Sequence, residues 1–67
     1  MANDYQTRVI GEKQDLDGKL SRLHAFFGTA TFSGLDPNEQ VRLRRQSMFM
    51  ACYQDVLAQR IEAFGPQ

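Results

Sequence analysis

Leu35-Asp36-Pro37-Asn38-Glu39 is the stretch whose reading settles how this chain folds. Asp36 is of the residue type that caps a helix N-terminus. Pro37 suits the first helical position, where a missing N–H costs nothing, and Glu39 completes an acidic capping box. Leu35 before the cap and Val41 after it are placed like a hydrophobic staple, to within one residue. The signal predicts a helix over about 37–64, stopped by Gly65-Pro66.

Upstream of Leu35, the stretch from Thr29 to Gly34 mixes small and β-branched residues and carries no helical rhythm; a short extended piece around Ala30 to Phe32 is the only place for a strand. Gly28 stands where a helix would end on a left-handed residue. The helix before it covers about 3–27, with Asn3 or Asp4 as its cap and no proline inside it. Val9, Leu16, Leu20, Leu23 and Phe27 repeat at four-three spacing along one seam. On the polar side Asp4–Arg8, Arg8–Glu12, Lys13–Asp17 and Asp15–Lys19 stand four apart, each pair supplying about 0.2–0.5 kcal/mol.

Two helices of this length do not make a sphere. About 25 residues of helix extend roughly 38 Å, whereas a compact globule of this chain length is roughly 28 Å across. The expectation is a single all-α domain: an antiparallel two-helix hairpin assembling into a homo-oligomeric helical bundle, with helix 3–27, connection 28–36 and helix 37–64.

Assembly follows from surplus apolar surface. Met48 to Tyr53 is a run of six apolar residues, more than one buried stripe needs. Met50, Tyr53, Leu57 and Phe64 form the stripe that meets the leucine seam, leaving Met48, Phe49, Cys52, Val56 and Ile61 around the rest of the helix. On the first helix Thr7, Gly11, Gly18, Ser21 and Ala25 line the side away from the seam, where small residues allow close approach of another backbone. Met48, Phe49, Cys52, Val56, Gly11 and Gly18 are therefore the expected subunit contacts. The alternatives are that the apolar residues cover the hairpin ends within one chain and that the glycines are simply tolerated.

A small domain usually needs staples or partners. One cysteine and one histidine supply neither an internal disulfide nor a four-ligand zinc site. A lone thiol in an apolar run fits a reducing cytoplasm as a small buried, unreactive hydrophobe. Eight basic residues balance eight acidic ones, which argues against nucleic acid or an anionic membrane as partner. The apolar run is far short of the roughly 20 residues that span a bilayer, and the N-terminus has no signal-peptide pattern. The chain reads as a complete, soluble, cytoplasmic product.

No nucleophile–base pair, metal motif or phosphate loop emerges from the spacing, so no enzyme, cofactor or metal is expected. The candidate ligand contacts are Arg42, Arg44 and Arg45 near a helix N-terminus, Lys13 interrupting the leucine seam, and Tyr5 and Tyr53 as stacking surfaces. Each has a plain structural counterpart: a solvated arginine face, a lysine reaching out from the seam edge, and tyrosines at the edge of a core. His24 suits a charge–dipole contact at the end of the first helix.

The pattern Tyr5-Gln6-x-Arg8-Val9, Glu12-Lys13, Leu16-Asp17-x-Lys19-Leu20, Leu23, Phe26, Phe32, Leu35, Glu39-Gln40, Leu43, Gln46, Met50, Tyr53, Val56-Leu57, Arg60-Ile61 and Phe64 resembles small helical-hairpin proteins of tailed phages and prophages. The resemblance spans nearly the whole chain but holds no catalytic motif, so it transfers no functional residue. It implies a phage accessory product acting in the bacterial cytoplasm. The leading expectation is a protein that blocks a host protein, such as a defence component, by docking a helical face. The alternatives are an oligomeric sponge for a small nucleotide signal held at subunit junctions, and a nucleic-acid-binding or virion assembly component.

Overall fold

The computed structural model describes residues 4–65; the expected cap at Asn3 and stop at Pro66 lie outside the described residues. The described residues form three helices, α1 (Asp4–Phe26), α2 (Ala30–Ser33) and α3 (Pro37–Glu62). Contacts between α1 and its partners run in opposite sequence order. Tyr5 meets Phe64, Asp17 meets Gln54, and Phe27 meets Arg44, so α1 and α3 are antiparallel. The hairpin is slender, 49 × 15 × 15 Å with a radius of gyration of 15.3 Å. That exceeds the roughly 11 Å of a compact globule of this length and bears out the expected elongation.

The predicted start of α3 holds at its cap. Asp36 Oδ1 accepts from the backbone N–H of Asn38 at 2.8 Å, and Pro37 opens the helix. The rest of the signal is differently spent. Glu39 accepts from Arg42 Nε at 2.8 Å, and Val41 is 56% exposed, so the Leu35–Val41 staple does not form. Gln40 occupies that role with polar chemistry, its amide donating to the carbonyls of Leu35 at 3.0 Å and Ser33 at 3.2 Å. A side-chain amide that reaches two free carbonyls fixes the loop more directionally than a methyl contact does.

Two expectations about the connection are overturned. Ala30 to Phe32 is helical, because Thr29 caps α2 with its own hydroxyl, which accepts from Phe32 N–H at 3.2 Å. Gly28 is not left-handed; among the described residues only Gly65 has positive φ, at 73°. α1 passes into α2 through right-handed turns in which Gly28 N–H donates to Ala25 O at 3.2 Å and Thr29 N–H to Phe26 O at 3.0 Å. That path needs no αL residue.

The core is small. Val9, Leu16 and the fully buried Leu57 form its centre, with Met50, Ile61 and Phe64 packed against them. Leu20 is also buried, and Leu23 and Phe27 are half-buried, so the predicted seam of α1 is real. At the connection end, buried Phe32 packs edge-on to Phe26 at 5.8 Å and tilted to Phe27 at 4.9 Å. The guanidinium of Arg44 lies 5.1 Å from the ring centres of both Phe27 and Phe32. α2 thus carries the buried ring of that end, Phe32.

Candidate functional site: a groove between the helices and an exposed face

Lys13 is where the seam of α1 is interrupted, and the structure shows what that does. Its Nζ pairs with Asp17 Oδ2 at 2.9 Å, the only one of the four expected pairs on α1 that closes. Asp17 also accepts from Gln54 Nε2 of α3 at 2.6 Å. The bond from Gln54, and then that from Lys13, hold the Asp17 carboxyl below its ordinary pKa.

Beside this pair a groove of about 460 Å³ runs between the helices. Ile10, Lys13, Gln14 and Asp17 line it from α1, and Ala58, Ile61 and Glu62 from α3. Its lining surface is mostly apolar, and its volume falls in the range of about 300–1,000 Å³ of small-molecule sites. Sequence reasoning does not place Ile10, Gln14, Ala58, Ile61 and Glu62 in a groove. The signal was the row Ile10-Lys13-Gln14-Asp17, spaced three, one and three, which marks the flank of a helix beside its buried seam. A smaller recess of about 270 Å³ lies against Asp17, Leu20, Ser21, His24 and Gln54.

The other predicted ligand contacts do not converge within one chain. Arg42 is engaged by Glu39, Arg44 by the rings of Phe27 and Phe32, and Arg45 is exposed. At 3.6 residues per turn the three point in different directions around α3. Tyr5 is at the far end of the hairpin, edge-on to Phe64 at 5.9 Å, and its hydroxyl accepts from Arg60 at 3.1 Å. That bond raises the pKa of Arg60. Tyr53 is 43% exposed, at the edge of the α3 stripe that carries Leu57 and Phe64. His24 stands in the last turn of α1, tilted on Phe27 at 6.1 Å.

The expected contact residues on α3 are open. Met48 and Phe49 are each 66% exposed, Val56 is 50% exposed, and Cys52 is exposed rather than buried within its chain. The cause is helical phase: Met50, Leu57, Ile61 and Phe64 take the side facing α1, and these residues lie nearly opposite. Gly11 has open space where a Cβ would be, whereas a Cβ on Gly18 would meet Arg22 Nη1 at 3.3 Å. Neither glycine is needed for α1–α3 packing.

Among the described residues no group of three or more His, Cys, Asp or Glu is placed to hold a metal ion, and no helix is long and apolar enough to cross a membrane. No curated protein and no solved structure is significantly similar to this chain. Residues 3–63 match the model of the Sequestin family, and the chain belongs to that family.

Proposed function

We propose that this protein is a non-enzymatic sequestering protein of phage type that takes up a small phosphorylated nucleotide in the groove between α1 and α3. The observation that carries the reading is the groove itself: ligand-sized, mostly apolar, and lined by Ile10, Ala58 and Ile61 beside Lys13 and Gln14. An apolar lining accommodates a base, and the Gln14 amide suits its polar edge. The family name, which denotes sequestration, agrees with binding as the activity.

The site of a single chain is electrically incomplete. Lys13 is already neutralised by Asp17, and Glu62 adds a second carboxylate to the lining. A phosphate would meet more negative than positive charge there, so a neighbouring copy must supply cations. Calorimetry of the full chain against cyclic mono- and dinucleotides tests the proposal. The expected result is saturable binding with the nucleotide recovered intact after denaturation. Uniform absence of heat, or recovery of a cleaved nucleotide, would overturn it.

A second reading is docking to a host protein through α3, favoured by the exposure of Met48 and Phe49. A single-copy protein that retains this open face in solution would favour it over sequestration.

A further inference from the structure

The exposed face of α3 has a definite geometry. At 3.6 residues per turn, Val41, Met48, Phe49, Cys52 and Val56 fall within an arc of about 100°, nearly opposite the side that packs on α1. Cys52 stands near the middle of this stripe, which continues to Gln59 and Ala63. Set antiparallel to an identical stripe about Cys52, Met48 faces Val56, Arg45 faces Gln59 and Val41 faces Ala63. No like charges oppose each other along the line, as a two-fold interface requires of a surface meeting itself.

The charge distribution selects the direction. The first half of α3 carries Arg42, Arg44 and Arg45 against Glu39, and the second half Asp55 and Glu62 against Arg60. Antiparallel pairing sets the basic half on the acidic half, whereas parallel pairing would stack the arginines of two copies. Net charge is zero, so copies do not repel at neutral pH. The core of one hairpin has only Val9, Leu16 and Leu57 at its centre, a small anchor for a chain of this length.

We propose that a second copy of this chain covers the exposed α3 face, antiparallel and two-fold about Cys52. The proposal goes beyond the sequestration reading, and its geometry stands without any nucleotide.

Disulfide trapping tests it. In a Cys52→Ser background, full chains carrying Arg45→Cys are mixed with full chains carrying Gln59→Cys and mildly oxidised. The expected product is the mixed 45–59 dimer, formed at least tenfold faster than 45–45 or 59–59 dimers. Preference for 45–45 would overturn the direction. Light scattering of the unmodified chain is expected to give twice the chain mass or an even multiple, and a single-copy mass at millimolar concentration would overturn the interface. Phe49→Glu is expected to raise the dissociation constant at least 100-fold with helicity retained; if that variant unfolds, the trapping result decides. Trapping with null calorimetry removes the nucleotide and leaves the dimer, whereas nucleotide binding by a single-copy protein removes the dimer and leaves the nucleotide.

Discussion

Asp17 on α1 accepts a hydrogen bond from Gln54 on α3 at 2.6 Å, across thirty-seven residues of sequence, while Lys13 holds its other oxygen at 2.9 Å. It is the polar tie at mid-hairpin, set beside the apolar core. A seam interrupted by a lysine thereby becomes a fixed crossing point between the helices.

Acid should loosen this tie. The folded-state pKa of Asp17 is depressed below its ordinary 3.8, first by Gln54 and then by Lys13. Its contribution is therefore present above the unfolded-state value and lost as pH falls through the folded one. Thermal melts followed by circular dichroism should show the transition falling as pH drops below about 4. Asp17→Asn should flatten that dependence while leaving the melt at pH 7 lower than wild type. An unchanged acid slope in Asp17→Asn would show that the bond to Gln54 does not persist in solution.

Among the described residues Leu57 is the one fully buried large side chain. Leu57→Ala should cost about 2–5 kcal/mol, a large share of the stability of so small a domain. Denaturant titration is expected to show an unfolded or molten chain at 25 °C. A loss below about 1 kcal/mol would mean that Leu57 is not the centre of the core.

The cap of α3 is measurable separately. Asp36→Ala removes the 2.8 Å bond to Asn38 N–H and should cost about 0.5–2 kcal/mol. Asp36→Asn should retain most of that, since an amide oxygen accepts the same bond.

Gly11 tests whether the small-residue side of α1 is occupied by another copy. A Cβ there meets nothing within 4 Å in the single chain. Gly11→Ala should therefore stabilise the helix by about 1 kcal/mol, read as a raised melting temperature with unchanged mass. A lowered melting temperature together with a reduced mass would place Gly11 in a subunit contact.

Arg44 joins the two ends of the connection. Arg44→Ala should destabilise by about 0.5–2 kcal/mol through lost stacking on Phe27 and Phe32, and Arg44→Lys should recover only part, lacking the planar group. Equal stability of all three chains in denaturant would refute the stacking.

What the sequence determined by itself was local and periodic. Asp36-Pro37 set the start of α3, the four-three spacing from Val9 to Leu20 set the buried side of α1, and helix length alone made the molecule a rod. These rest on bonds within a few residues and on the 3.6-residue turn, which a linear reading contains. The seat of Phe32 was not legible there, because it depends on Arg44 and two phenylalanines arriving at one place. Nor was the exchange of the Leu35–Val41 staple for the bonds of Gln40, since loop carbonyls have no signature in side-chain spacing. Tertiary structure alone decided that Lys13 lines a groove instead of filling the seam and that Cys52 is open. Each turns on the rotational phase of α3 against α1, and phase is fixed only when two helices choose which residues to bury together.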